Sequence, residues 1–260
     1  MQPNRLAVHA ALSVASAVRS GSSWPVVVRT QAGDFLTKLR GAAQGVLPLI
    51  SEIIVGELAT ALGLPVPERA LVTLDADVHS EDRTDELLDL LARSNGTNLG
   101  FRYLPGATDL RPSQGAGVST EFAGAVLWLD GLVMNPDRTE RNPNILVWHR
   151  QPWLIDHGAA LSFHFDLASL TEQTPREPLF DPSHHLFAAH GAAALRTDDE
   201  NAAKLSRDVL AAAAAHVPDD FLLAAFPRTS PEAMRGVYTA FLWKRLKAPR
   251  PFLPAITPAG

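Results

Sequence analysis

The 260-residue chain contains no cysteine, which excludes a disulfide framework, a thiolate zinc site and a catalytic thiol. Lysine is nearly as scarce: Lys38 is the only one in the first 200 residues. No G-x-S-x-G segment is present, so the nucleophile elbow of serine hydrolases is missing. Histidines 164, 184, 185 and 190, with Asp166 and Asp181, lack the helical His-x-x-x-His pair and attendant Glu of a hydrolytic zinc site. Positive charge is also short, with 23 Lys plus Arg against 28 Asp plus Glu and a formal charge of -5. That is the wrong sign for neutralising phosphates along a duplex, and no nucleic-acid partner is expected. No stretch approaches the ~20 apolar residues that cross a bilayer. Arg5 followed by Leu6 to Ala17 has the superficial order of a signal peptide, but His9, Ser13 and Ser16 interrupt it. The segment therefore reads as a first helix or strand packed on the domain, and the expected location is the cytoplasm. What remains, 46% hydrophobic and 20% charged residues, suits a water-soluble globular chain with a sizeable core.

Trp24 to Arg29 and Phe35 to Leu39 read as two strands joined by a turn at Gln31-Ala32-Gly33-Asp34. Ile50, Ile53, Ile54, Leu58, Ala61 and Leu62 recur at helical intervals, and Gly63, Pro65 and Pro67 end that helix. Ala70 to Leu74 is a further strand, so the first ~75 residues suit a small sheet with one helix laid against it. Residues 79 to 120 read as polar and irregular, apart from a short helix around Asp85 to Ala92. Ser119 and Thr120 can cap a helix that ends before Pro136, and Ile145 to Trp148 with Trp153 to Ile155 has the pattern of a second hairpin. Beyond it the chain reads as mainly helical, with a final helix opened by Thr229-Ser230-Pro231-Glu232.

The informative residues lie between 130 and 160. Asp137 stands on a loop, Asn142 follows five residues later, and Asp156-His157-Gly158 comes after the hairpin. Together these form the minimal apparatus of kinase-type phosphoryl transfer: one Asp for the acceptor hydroxyl, an amide oxygen and a second carboxylate for a metal. Mg²⁺ accepts so sparse a set of hard oxygens because water and phosphate complete its octahedron. Such chemistry also needs a cation for the phosphates and a carboxylate to hold it. Lys38 is the candidate cation and Glu52 its natural partner; Glu57, about 140° further around the helix, is the rival. Arg19 to Ser23 is a thin substitute for a glycine-rich phosphate loop. His157 and His164 read as packing or hydrogen-bonding groups near the metal loop.

The chain resembles the HipA-like kinase domain family, related to the atypical kinases that include the phosphatidylinositol 3- and 4-kinases. The likeness rests on Lys38, Gly41 to Gly45, Glu52 to Ala59, Leu62 to Pro67 and Asn98-Leu99-Gly100. The Asn135 to Leu146 loop and Ile155 to Leu161 complete it. It implies a two-lobed α+β protein kinase-like fold over residues 1–260. The N-lobe, a small antiparallel sheet plus one helix, would run to about residue 75, with a hinge at about 70–80 and a mainly helical C-lobe from about 80. It implies that Lys38 contacts the ATP phosphates with Ser20, Gly21 and Ser22, that Glu52 orients Lys38, and that Asp137 positions or deprotonates the acceptor. Asn142 and Asp156 would hold Mg²⁺, with Asn144 the alternative to Asn142 if the loop is two residues longer. ATP and a hydroxyl acceptor, a protein Ser/Thr or else a lipid or small molecule, are the implied partners. Thr139 stands where relatives often carry His. That departure and the thin glycine loop keep open a pseudokinase or ATP-sensing module as the alternative to an active phosphotransferase.

Overall fold

The computed structural model describes residues 5–17, 24–111 and 118–256. Its larger sheet is built from β1 (Ala7–Ala10), β2 (Ser13–Ala17), β3 (Val26–Thr30), β4 (Gly33–Lys38), β5 (Arg69–Leu74), β6 (His79–Ser80) and β7 (Gly96–Arg102). The order across it is β1-β5-β7-β4-β3-β2-β6. The β3–β4 hairpin forms as expected, pairing Val26 with Thr37 and Thr30 with Gly33. Gly33 takes a φ of +108°, which favours glycine at that turn. Two pairings are parallel, β1 with β5 and β2 with β6, so the sheet is antiparallel only through its middle. Parallel neighbours need a long crossover, and most of the sheet's length in sequence separates β1 from β5.

Region 79–120 departs from its irregular reading. It supplies β7, an interior strand antiparallel to both β5 and β4, with Leu99 opposite Leu71 on one side and Lys38 on the other. The boundary drawn at about residue 75 therefore leaves a central strand on its far side. Alternation is absent because two residues of β7 answer to tertiary contacts. Asn98 is fully buried: its Nδ2 donates to the carbonyls of Ser94 and Gly96, and its Oδ1 accepts the Arg40 N–H at 2.8 Å. Gly100 lies so close to β5 that a Cβ there would stand 2.6 Å from Val72 Cγ2.

Two apolar cores flank this sheet. Val14, Val26, Val28, Phe35, Leu39, Ala70, Val72 and Leu74 pack with Leu87, Leu90 and Leu91 of α2 (Asp85–Arg93). The larger core gathers α1 (Leu47–Leu62), α3 (Thr120–Val133), α4 (Gly191–Arg196), α5 (Asp198–Lys204), α6 (Arg207–Ala215), α7 (Asp219–Ala225), α8 (Pro231–Leu246) and α9 (Leu253–Ile256). Leu99, with Leu71 and Phe101 partly buried, carries that core onto the sheet. Thus α1 lies between the sheet and the helical lobe, and α2 is the helix that covers the other core. The fold is a mixed α+β, two-lobed kinase-like architecture.

Three helix ends prepare the site. Ser119 Oγ accepts the Phe122 N–H to cap α3, and Ser230 caps α8 ahead of Pro231. At the other end of α3, buried Arg245 of α8 donates to the carbonyls of Leu132 (2.9 Å) and Gly131 (3.1 Å), satisfying groups the helix leaves unpaired. The loop carrying Asp137 starts there. It leads into a small sheet of β8 (Thr108–Asp109), β9 (Ile145–Trp148) and β10 (Gln151–Leu154), which delivers the chain to Asp156.

Candidate active site

Lys38 ends β4 with its side chain nearly enclosed. Its Nζ donates to Glu52 Oε1 at 2.5 Å and to Asp156 Oδ1 at 2.7 Å. Glu52 is fully buried on α1, and its Oε2 accepts the His157 backbone N–H at 2.9 Å. Burial alone would lower the Lys38 pKa; the Glu52 and Asp156 carboxylates outweigh it and hold the ammonium above the usual lysine value. For Asp156, burial works upward, but the adjacent ammonium wins and keeps the carboxyl below its usual range. Burial dominates at Glu52 and pushes it up against the pull of Lys38.

Asp156 also has a φ of +55°, a left-handed conformation that a non-glycine residue seldom takes. Strain of this kind persists where surrounding contacts over-determine it, and here those contacts are Lys38 and the turn through His157. At Gly158 an added Cβ would stand 3.1 Å from Pro48 Cβ, so the turn abuts the first residues of α1.

Asp137 forms the second cluster. Its Oδ2 accepts Nδ2 of Asn142 at 3.0 Å and of Asn144 at 3.3 Å, and its carbonyl accepts from the same two amides at 3.3 and 3.2 Å. Asn142 is exposed, whereas Asn144 is buried with a φ of +50°. Both asparagines thus reach Asp137, and both remain candidates as the amide ligand.

A buried base supports this loop. Asp130, inside α3, accepts Arg138 Nε at 2.6 Å, Asn135 Nδ2 at 2.9 Å and His185 Nε2 at 2.9 Å. Burial would raise the Asp130 carboxyl, but Arg138 and His185 outweigh it and hold it well below the usual range. Asn135 Oδ1 in turn accepts the Asp137 N–H at 3.2 Å. Arg138 also donates to the Asn144 carbonyl at 2.6 Å and to His157 Nδ1 at 3.3 Å. Because a guanidinium only donates, His157 Nδ1 accepts and the imidazole proton resides on Nε2. Burial, then the Arg138 charge, lowers the His157 pKa to about 3, so the ring is neutral. The Ile155 N–H donates to the same Asn144 carbonyl at 3.0 Å. The two clusters are therefore joined through Arg138 and the Asn144 main chain.

Of the residues named from sequence, Lys38, Glu52 and Asp156 meet directly, and Asp137 meets Asn142. Ser20, Gly21 and Ser22 lie outside the described residues. Glu57 faces away from Lys38 and pairs with Arg69 at 2.7 Å. His164 hydrogen-bonds and packs in the helical lobe, its Nδ1 2.9 Å from Tyr238 Oη. The sequence reading gave Asp130, Asn135 and His185 no place in the site. The signal for Asp130 was present, an acid inside the apolar run Trp128-Leu129-Asp130-Gly131-Leu132, since a buried carboxylate needs a partner. For His185, 55 residues away, there was none.

The oxygens present suit a hard divalent cation. The Asp156 side chain keeps 44% of its surface exposed, and Asn142 Oδ1 accepts no hydrogen bond among the described residues. Among those residues no group of three or more His, Asp or Glu forms a protein-only cage, so water and phosphate would complete the shell, as Mg²⁺ prefers. A family model described as HipA-like kinase matches residues 12–233.

The chain belongs to the HipA-like kinase family. The crystal structure of the Helicobacter pylori proinflammatory kinase CtkA is similar to it at a TM-score of 0.56 and 11% identity. The match covers 89% of this chain and 92% of that one. At such identity the likeness speaks for the fold, and it spans both lobes. No curated protein matches the chain. Among the described residues no helix is long and apolar enough to cross a membrane. The HipA-like assignment gives the two clusters a common setting, a kinase-like protein with Lys38 and Asp156 in contact across the lobes.

Proposed function

We propose that the protein is an ATP-dependent phosphotransferase that moves the γ-phosphoryl group of Mg-ATP to a hydroxyl, with a protein Ser or Thr as acceptor. The observation that carries this reading is the Lys38 ammonium bridging Glu52 of the helix and Asp156 of the Asp-x-Gly turn, at 2.5 and 2.7 Å. A strand lysine held this way supplies a fixed positive charge for the phosphates, and its orientation is secured before substrate arrives. Magnesium, held by Asp156 and by Asn142 or Asn144, would neutralise negative charge on the phosphates. Asp137, half-exposed and hydrogen-bonded by both amides, would orient the acceptor hydroxyl and take its proton. The neutral His157 adds no charge beside Asp156. This reading treats residues 1–260 as one kinase domain with its cleft between the sheet and helical lobes.

One observation favours a second reading, an ATP-sensing module with weak turnover. Thr139 supplies no basic side chain beside Asp137, and its Oγ1 already accepts the Asn142 N–H at 3.1 Å. Incubation with Mg²⁺ and γ-labelled ATP, with protein, lipid and small-molecule acceptors, separates the two. The phosphotransferase transfers label to a hydroxyl and requires Mg²⁺. Thermal stabilisation by Mg-ATP with no transfer to any acceptor and no phosphate release would leave the sensing module.

A further inference from the structure

The helix that carries Glu52 buries apolar residues around most of its circumference. Leu49, Ile50, Ile53, Ile54, Val55, Leu58, Ala59 and Leu62 are all buried, against the sheet on one side and the helical lobe on others. Apolar burial is non-directional, so polar contacts add direction to what side-chain packing specifies. The helix has few such groups: Ser51, Glu52, Glu57 and Thr60.

Glu52 and Ser51 face the site; Ser51 Oγ donates to the Ala160 carbonyl at 2.8 Å. Glu57 lies about 140° around the axis from Glu52. Its Oε1 accepts Arg69 NH2 of β5 at 2.7 Å, and its Oε2 lies 3.2 Å from Nδ1 of His216, the residue that ends α6. Arg69 NH2 also donates to Thr60 Oγ1 at 3.1 Å. The guanidinium reaches both groups by crossing the helix at Gly56, where a Cβ would stand 2.8 Å from Arg69 Cζ. Burial opposes ionisation of Glu57, yet His216 and Arg69 outweigh it and lower its pKa to about 2, so the Glu57 carboxylate is charged throughout the neutral range. One strand and one helix end thereby grip α1 on the side away from Lys38.

We propose that Glu57 is a positioning residue: clamped by Arg69 and His216, it fixes the rotation of α1 at which Glu52 meets Lys38. Its bearing on turnover rests on the phosphotransferase reading; its bearing on Lys38 does not. The scarcity of lysine provides a direct test, because Lys38, Lys204, Lys244 and Lys247 are the only four in the chain. Acylation by acetic anhydride between pH 7 and 10, read by peptide mass spectrometry, reports the free-amine fraction of each. In Glu57→Ala, and separately in Gly56→Ala, Lys38 should label faster, by about ten-fold for each unit its pKa falls as Glu52 turns away. Lys204, Lys244 and Lys247 should keep their wild-type rates, and Glu57→Gln, which can still accept from Arg69, should fall between. If Glu57→Ala does not fold, Gly56→Ala and His216→Gln give the same readout without removing the carboxylate. A variant that melts earlier but labels Lys38 at the wild-type rate overturns the proposal and leaves Glu57 a stabilising residue only. In the kinase assay, the same variants should lower kcat while leaving the KM of the acceptor unchanged. A wild-type protein without turnover would sink the phosphotransferase reading and leave the labelling result to decide the role of Glu57.

Discussion

Around Lys38 the polar groups are ionisable and mostly buried, with Glu52 wholly enclosed and Asp156 the most exposed of the three. Around Asp137 the partners are neutral amides, and one of them, Asn142, is exposed. The same protein thus builds one half of its site from charges that cannot be separated cheaply and the other from hydrogen bonds that water can replace. Removing a partner from a buried ion pair strands a charge in low dielectric, whereas removing an exposed amide exposes little. The first half is expected to be rigid and coupled to folding, and the second free to adjust.

Substitutions at matched positions sharpen that contrast. The largest effect is expected at Asp156, where Asn keeps the shape but loses the charge. Asp156→Asn should reduce Mg-ATP turnover by about three orders of magnitude or more with the fold intact by circular dichroism. Full activity would remove its metal role. Next, Lys38→Met leaves Glu52 unpaired in the interior and should cost about 3–5 kcal/mol in urea denaturation. Its counterpart, Asp137→Asn, should stay within about 0.5 kcal/mol of wild type yet lose about 10²–10⁴ in kcat. Equal stability losses in these two variants would break the comparison.

Acid provides a third test. His157 and His164 are both held neutral by burial, each with a pKa lowered to about 3. The unfolded chain takes up their protons first, so stability falls as pH drops from about 6.5 towards 3, by about 1.4 kcal/mol per unit for each ring. Urea denaturation of His164→Gln across that range should show a shallower slope than wild type, and an unchanged slope would refute neutral burial of that ring. The smallest effect separates the asparagines. Asn144→Ala should cost about 1 kcal/mol because alanine resists the left-handed backbone, while Asn142→Ala should cost almost none. Whichever variant raises the Mg²⁺ concentration needed for half-maximal turnover identifies the amide ligand.

Much of the candidate site could be located before the fold because the residues that resemble a phosphoryl-transfer apparatus fall at short intervals on a loop and a turn. Asp137, Asn142 and Asp156 needed no knowledge of the sheet. Lys38 and Glu52 followed from a strand and a helix whose periodicities were intact. What escaped was whatever depended on distant partners. Strand β7 was hidden because Asn98 and Gly100 are chosen for a buried amide network and a close approach to Val72 and not for alternation. The support beneath the Asp137 loop was hidden because Asp130 and His185, 55 residues apart, meet only in the folded chain. The full placement of α1 was hidden for the opposite reason: a helix with buried apolar residues on most of its faces does not say which neighbour covers which face.

The close approach of Gly158 to Pro48 ties the turn to the helix in a way neither cluster does alone. An added Cβ at Gly158 would stand 3.1 Å from Pro48 Cβ, so a side chain there would press the Asp-His-Gly turn against the start of α1. Crowding at that one position would be felt by both of the lysine's carboxylate partners, Asp156 two residues before it and Glu52 one helical turn beyond Pro48.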